Sequence, residues 1–268
     1  MKIVSWCLEQ GLIITDTPIV SREPLCHCLK EFVAREQTYR LRFLQKMYGY
    51  AFDGYSYYGQ EDSTHQAPGD LLHSFVFSDF FQVERYPVEF QSYIADSWPL
   101  LTATLRSIEQ QILQSLPGTV SQLYREHIRH MMTANFYPPL AEFEHAAAGN
   151  TRLSEHPDVS LFTLFPFGMD QDFEFQDADG DWHSAPDTNT MVAFPGYLLE
   201  WLSDGDIKAL NHRVRLTANR EQERFSFGVF SIPGRDATLS RTLASTPDQV
   251  EHLSAQSYFE QYISLWDY

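Results

Sequence analysis

Hydrophobic positions in the first half of the chain follow the spacing of helices. Three segments show it: residues 24–48, 87–116 and 120–132. In the first of them, Leu25, Leu29 and Phe32 recur at steps of three and four, which places them on one helix face. Between the first two segments, residues 52–70 are rich in Gly, Ser, Asp and Tyr, a composition typical of an irregular loop. The pattern predicts mostly helical structure over residues 1–130.

The pattern changes near residue 135, where the apolar runs become short and rich in β-branched and aromatic side chains. Clusters of Gly, Asp, Asn and Pro separate these runs, which read VSLFTLFPF, DFEFQDADGDW, TMVAFPGYLLEWL, HRVRLTA and RFSFGVFSIP. The segment Asp177–Gly180 has the composition of a hairpin turn. Short strands at this rhythm favour a sandwich or a barrel. Residues 247–266 return to helical spacing, with Thr246 as the expected N-cap.

Length and composition are compatible with one domain of the α+β class. The 268 residues are 43 % hydrophobic and 15 % aromatic, which is enough for a large core, and β sandwiches or barrels of this size commonly form one unit. We therefore expect a single domain with a mainly β core. In it, residues 1–130 supply mostly helical support, 131–235 form the β core, and 236–268 form a helical cover.

The net charge of the chain argues against two classes of binding partner. The formal net charge is −17, whereas nucleic acids and anionic membranes are bound through Lys and Arg. We therefore expect a small-molecule substrate and neither a nucleic acid nor a membrane as partner. The chain has three cysteines, no secretory signal and no apolar run long enough to span a bilayer, which predicts a cytoplasmic protein. No feature of the sequence predicts an oligomeric state.

The segment Glu155-His156-Pro157-Asp158 offers two metal ligands just before an apolar strand. In an extended chain, side chains at i and i+2 point to the same side, so His156 and Asp158 can reach one ion. Two histidines in the β region, His183 and His212, are candidates for the third ligand. His212 begins a strand, whereas His183 follows a hairpin turn and is expected to be exposed. Two imidazoles and one carboxylate form a facial triad that suits iron(II) and leaves coordination positions open.

A candidate carboxylate clamp lies further along the chain. Arg224 and Ser226 alternate on one strand and therefore share a face, and an arginine next to a hydroxyl can bind a carboxylate in a bidentate manner. Upstream, the segment Asn135-Phe-Tyr137-Pro-Pro begins the predicted β core. The phenol of Tyr137 could donate a hydrogen bond to the same acid.

Taken in order, these motifs resemble a known family. NxYPP, HxD, a hairpin with DGxW, the stretch from Gly196 to Val214 and RxS are similar to the 2-oxoglutarate and iron(II)-dependent dioxygenases of the isopenicillin N synthase-like group. The resemblance covers about residues 130–233. It implies a double-stranded β-helix, or jelly roll, braced by helices. It also implies iron(II) bound by His156, Asp158 and His212, and 2-oxoglutarate bound by Arg224, Ser226, Tyr137 and Asn135.

The resemblance further implies an enzyme of small-molecule metabolism, such as natural-product biosynthesis. With O₂ as oxidant, 2-oxoglutarate would be decarboxylated to succinate while a metabolite is oxidised, most simply by hydroxylation. Two alternatives stay open at this point. One is an iron oxidase of the isopenicillin N synthase type that does not use 2-oxoglutarate. The other is a non-catalytic jelly-roll binding protein.

Overall fold

The protein was analysed as a computed structural model that describes residues 5–7, 11–60, 70–116, 118–139, 151–186, 188–216, 222–243 and 245–264. The strands are β1 Ser5–Cys7, β2 Leu12–Pro18, β3 Gly54–Ser56, β4 His73–Ser78, β5 Ile128–Tyr137, β6 Thr151–His156, β7 Phe162–Phe165, β8 Phe173–Gln176, β9 Trp182–Ser184, β10 Thr190–Pro195, β11 His212–Arg215, β12 Arg224–Pro233, β13 Thr238–Leu243 and β14 Thr246–Ser254.

The helices fall mainly in the first half of the chain. They are α1 Glu23–Val33, α2 Gln37–Arg40, α3 Val88–Ser92, α4 Trp98–Leu113, α5 Gly118–His127, α6 Tyr197–Leu202 and α7 Ala255–Ser264. A π-helical turn, Tyr93–Ser97, joins α3 to α4. None of the described helices is long and apolar enough to cross a membrane.

Two antiparallel sheets form the β core in the manner of a jelly roll. The larger has eight strands in the order β1-β2-β10-β7-β12-β5-β4-β3, and the smaller has four in the order β6-β11-β8-β9. Strands β13 and β14 form a separate hairpin. Side chains from both sheets line one large cavity. The predicted fold class, a mainly β core with bracing helices, is confirmed.

The two faces of the larger sheet have different neighbours because side chains alternate along each strand. On β4, Phe75 and Phe77 point towards the helices, where Phe75 meets Phe32 of α1 with 5.0 Å between ring centroids and Phe77 meets Trp98 of α4 at 5.2 Å. The intervening residue, Val76, lines the cavity. The helices therefore brace the outer face of the sheet, and the inner face is left for the cavity.

Several predicted boundaries were wrong. Strand β5 begins at Ile128, inside the helix predicted over 120–132. The helix predicted from 247 is instead strand β14 followed by α7, so Thr246 is not its N-cap and part of the C-terminal cover is a hairpin. The run TMVAFPGYLLEWL contains β10 and then α6. The first half also contributes β1 to β4 to the larger sheet.

Candidate metal and co-substrate site

Three metal-ligating side chains converge at the end of the smaller sheet. His156 ends β6 and His212 begins β11, and the two are register partners across the strand pair. Asp158 follows two residues later, so that its Oδ1 lies 3.7 Å from Nε2 of each histidine. One ligand atom from each of the three lies within 4.8 Å of the others. The structure thus brings together the predicted triad, in an arrangement that could hold one ion.

Backbone carbonyls fix both imidazoles in the form that a metal requires. Nδ1 of His156 lies 2.7 Å from the carbonyl oxygen of Ser154, and Nδ1 of His212 lies 3.2 Å from that of Leu210. A nitrogen next to a carbonyl must carry the proton, so the lone pair of each ring is on Nε2, which faces Asp158. The ring of Phe173 stacks on His212 at 5.0 Å between centroids, which limits rotation of the imidazole.

The carboxylate of Asp158 is oriented by a hydroxyl that the sequence analysis missed. Thr163 donates to Oδ2 of Asp158 at 2.7 Å, and the hydroxyl of Ser160 lies 2.8 Å from that of Thr163. Oδ1 is thereby left for the metal. Thr163 is fully buried in an otherwise apolar run, LFTLF. Because a buried polar residue needs a partner, that position could have indicated a supporting role.

A glycine lets the chain pass close to this carboxylate. Gly196 precedes α6, and the backbone N–H of Tyr197 donates to the carbonyl oxygen of Asp158 at 2.7 Å. A Cβ at position 196 would lie 2.9 Å from that same oxygen and closer still to the carbonyl oxygen of Ser160. Real side chains do not approach a carbonyl so closely, so the contact requires glycine.

The electrostatics of the triad favour metal ligation. Burial lowers the pKa of His212 to about 4, so its imidazole is neutral near pH 7, which is the ligating form. Burial also opposes protonation of His156, but the neighbouring Asp158 carboxylate outweighs it and raises the pKa of His156. Burial would raise the pKa of Asp158, yet the two imidazoles and the Thr163 hydroxyl hold it below its usual value. The carboxylate is therefore ionised at neutral pH.

The predicted clamp residues face one another across strands β5 and β12. Arg224 is the register partner of Tyr137, and Ser226 is the partner of Asn135. The guanidinium carbon of Arg224 lies 4.7 Å from the centroid of the Tyr137 ring. Three buried atoms in this group have no hydrogen-bond partner in the part of the chain that the structure describes: Tyr137 OH, Arg224 Nη1 and Asn135 Oδ1. Since buried polar atoms are normally satisfied, these atoms indicate the position of a polar ligand.

An aspartate holds the other side of the Arg224 guanidinium. Nε of Arg224 donates to Oδ2 of Asp170 at 2.7 Å and Nη2 donates to Oδ1 at 2.9 Å. Arg224 lines a small pocket of about 30 Å³ together with Asp170 and Ser226. On strand β8, Glu174 is only 8 % exposed and pairs with Arg213.

The triad and most of the clamp open into one cavity of about 850 Å³. His156, Asp158, His212, Asn135, Tyr137 and Ser226 all line it. Arg224 does not; it lies beside this cavity, in the small pocket that shares Ser226 with it. Phe230, on the same face as Ser226, also lines the large cavity. The structure therefore gathers the predicted site residues at one place.

The other candidate for the third ligand lies elsewhere. His183 is exposed and its Nε2 pairs with Asp177 at 2.6 Å, on the β8–β9 hairpin. The turn predicted at Asp177–Gly180 is confirmed by this hairpin.

Comparison with known proteins shows what the chain resembles. Residues 128–233, less than half of the chain, match the model of the 2OG-Fe(II) oxygenase superfamily. Leucoanthocyanidin dioxygenase of Petunia hybrida is 28 % identical over 127 residues, which are 47 % of this chain and 28 % of that protein. The enzyme of the same name from Perilla frutescens is 31 % identical over 121 residues, or 45 % of this chain and 32 % of its own. The match thus spans about a third or less of these curated relatives.

A solved structure supports the fold over almost the whole length of the chain. A full-length Neurospora crassa protein, solved in complex with alpha-KG and thymine, superposes with a TM-score of 0.70 at 18 % identity. The alignment covers 96 % of this chain and 88 % of that one. Members of the superfamily use Fe(II), 2-oxoglutarate and O₂. The donor set of the triad fits iron(II), and the unpaired buried atoms of Tyr137 and Arg224 fit a carboxylate.

Proposed function

We propose that the protein is an iron(II)- and 2-oxoglutarate-dependent dioxygenase that oxidises, most simply hydroxylates, a small-molecule metabolite. The observation that carries the proposal is the buried His156–Asp158–His212 cluster, whose outward nitrogens are already committed to carbonyls. Such a cluster supports binding of one metal through Nε2, Oδ1 and Nε2. A facial triad of this kind leaves sites for a co-substrate and O₂.

Each clamp residue has a proposed role towards 2-oxoglutarate. Arg224 keeps Nη1 free while Asp170 occupies Nε and Nη2, so that one face of the guanidinium remains for the distal carboxylate. Tyr137, whose hydroxyl is buried and whose pKa is raised to about 12 by burial, stays protonated and donates. Ser226 and Asn135 complete the group from the cavity wall.

The bound iron and 2-oxoglutarate would supply the oxidation, in which O₂, 2-oxoglutarate and a substrate C–H give the hydroxylated substrate, succinate and CO₂. The chain itself has three tasks. His156, Asp158 and His212 hold the metal in a fixed geometry. Arg224 and Tyr137 orient the co-substrate. Phe173, only 2 % exposed, shields the metal end from water.

The wider setting of the enzyme is also part of the proposal. A small-molecule substrate agrees with the large cavity and with the thymine that the Neurospora crassa protein binds. The acidic composition agrees with no nucleic-acid or membrane partner. A role in the cytoplasm, in metabolite or natural-product biosynthesis, completes the proposal. A single domain over residues 1–268 agrees with a core cluster that joins the helices of the first half to strands of the second.

Anaerobic titration with iron(II) and 2-oxoglutarate tests the proposal. The wild-type protein is expected to bind one iron and to develop the weak visible charge-transfer band of the complex. His212→Ala should lose iron binding, whereas His183→Ala, which alters an exposed histidine, should retain it. Failure of the wild type to bind iron would refute the proposal. Iron binding without a band would instead favour an oxidase that does not use 2-oxoglutarate.

A further inference from the structure

The mouth of the large cavity is built from three segments that are far apart in the sequence. The segment before β3 supplies Lys46 and Tyr50, the turn after β12 supplies Arg235, and α7 supplies Gln256 and Glu260. All except Tyr50 are exposed, which places them at the entrance rather than at the metal end. Polar recognition groups are thus concentrated at the rim.

The wall between this rim and the triad is mostly apolar. Its side chains include Phe52, Val76, Met131, Phe165 and Phe230. Ligand cavities of roughly 300–1,000 Å³ take small organic molecules, and this one has about 850 Å³. The cavity therefore fits a molecule with an apolar body and a polar group at the end that faces the solvent.

Two cations at the rim have no carboxylate partner within the described part of the chain. The structure assigns neither Lys46 nor Arg235 an ion pair with any residue that it describes, although the chain has 36 acidic and only 19 basic residues. Glu260 also lines the rim, but it accepts a hydrogen bond from Gln256 at 2.9 Å. Asp236 follows Arg235 but is not among the lining residues. Among the residues that the structure describes, the rim thus has two positive charges for one negative charge.

Arg235 is supported in a way that leaves its hydrogen-bond donors available. Its guanidinium carbon lies 4.8 Å from the centroid of the Tyr50 ring. The Tyr50 hydroxyl is fixed in turn by donating to the carbonyl oxygen of Pro233 at 2.7 Å. A guanidinium that stacks on a ring keeps its in-plane N–H groups for a carboxylate. The arrangement is that of a pre-positioned anion receptor.

We infer that the substrate is an apolar or aromatic carboxylic acid, bound with its carboxylate at Arg235 and Lys46 and its opposite end towards the triad. This inference rests on the proposed function. The oxidised carbon then lies at the end of the substrate that is remote from its carboxylate. Lys46 and Arg235 act in recognition and do not touch the reacting atoms.

Binding of matched acids and amides tests the inference. The probes are arylalkanoic acids from phenylacetate to phenylhexanoate, each beside its primary amide, titrated calorimetrically into the anaerobic iron–2-oxoglutarate protein. Charge-assisted hydrogen bonds predict that at least one acid binds about ten-fold more tightly than its amide. The double substitution Lys46→Gln and Arg235→Gln should abolish this ratio. Arg125→Gln, which removes an exposed charge on α5, should leave it unchanged.

The outcomes separate this inference from the proposed function. Equal affinities for every acid and its amide, including no binding of either, overturn the inference, as does an acid preference that survives in the double variant. The double variant should still show the visible band of the iron–2-oxoglutarate complex, because neither substituted residue binds the metal or 2-oxoglutarate. Absence of this band in the wild type would overturn the proposed function instead. With Mn²⁺ in place of iron, the phenyl protons of the bound acid should relax faster than the CH₂ next to the carboxylate. The reverse order overturns the orientation.

Discussion

The strand pair β5–β12 carries buried polar groups on both of its faces, but the hydrogen bonding of these groups differs between the two faces. On the outer face, His130 opposes Ser231, and both reach Glu109 of α4: Nε2 of His130 lies 2.8 Å from Oε2 of Glu109, and Ser231 donates to Oε1. Tyr124 donates to the same carboxylate. On the inner face, Tyr137 opposes Arg224, and each keeps a buried polar atom without a partner.

The difference separates a structural network from a binding site. On the outer face the charges of Glu109 and His130 neutralise each other within the protein, and Nδ1 of His130 lies 3.8 Å from Asp79. Buried charges that are paired in this way hold a helix on a sheet. On the inner face no described residue supplies the missing partners, which agrees with a ligand from outside the chain. Substitutions on the two faces should therefore change different quantities.

Removal of the Glu109 carboxylate is expected to have the largest effect. Glu109→Ala leaves His130 buried without its counter-ion, and breaking a buried pair costs about 3–5 kcal/mol. Urea denaturation should show this loss in the free energy of unfolding. The folded fraction should bind iron and 2-oxoglutarate as the wild type does. A reduced 2-oxoglutarate affinity in protein that is still folded would contradict the separation of the two faces.

Removal of the Arg224 guanidinium should affect ligand binding instead. Arg224→Ala is expected to weaken 2-oxoglutarate binding about 100-fold, because a charge-assisted contact to the distal carboxylate is lost. The charge-transfer band, titrated anaerobically, measures this change. Arg241→Ala is the matched control, since Arg241 pairs with Glu251 away from the cavity. Equal losses in both variants would argue against the clamp.

Stability should fall at alkaline pH because of His130. Burial would lower the pKa of His130, but Glu109 and Asp79 outweigh burial and raise it from 6.5 to about 9. Because the pKa is higher in the folded state, protonation of His130 stabilises the folded protein, fully so at pH values below the unfolded-state pKa. This contribution disappears as the pH rises through 9. The expected loss is about 2 kcal/mol between pH 7 and pH 9. Urea denaturation at both pH values measures it, and His130→Gln should reduce this pH dependence.

A pair of tyrosine substitutions gives the smallest and most symmetrical test. Tyr137→Phe should weaken 2-oxoglutarate binding about five-fold without lowering stability, because the lost hydroxyl has no hydrogen-bond partner among the described residues. Tyr124→Phe should lower the free energy of unfolding by about 1 kcal/mol and leave 2-oxoglutarate affinity unchanged. Calorimetry and urea denaturation of both variants provide the data. A destabilised Tyr137→Phe would show that the phenol has a structural partner.

The proposed metal ligands could be predicted from sequence because their signal is local. His156 and Asp158 are two residues apart, and His212 begins a recognisable strand, so alternation alone sets their direction. The role of Asp170 could not be predicted in this way, because its partner, Arg224, lies 54 residues away. No local pattern reports an ion pair between distant segments. For the same reason the rim of the cavity could not be predicted, because three separate segments form it.

The errors in secondary structure also have physical causes. At the start of β5, Ile128, Met131 and Met132 have helical spacing, and they are all buried because this strand is covered on both faces. A strand buried on both faces loses the alternation that identifies strands. At β14, Val250 and Leu253 lie three residues apart, as on a helix, but pairing with β13 places them opposite Thr242 and Leu239. Pairing with a distant strand thus determined the secondary structure of a segment whose local pattern was ambiguous.

The close approach at Gly196 ties the metal site to a position that contributes no side chain. Asp158 is held from one side by the Thr163 hydroxyl and from the other by the backbone of residues 196–197. Even alanine at 196 would require the Asp158 loop or the start of α6 to move, since its Cβ would overlap a carbonyl oxygen of Ser160. Tolerance to mutation is therefore expected to be lower here than at many residues of the cavity wall. Adding one methyl group at Gly196 is therefore expected to change the affinity of the site for a metal.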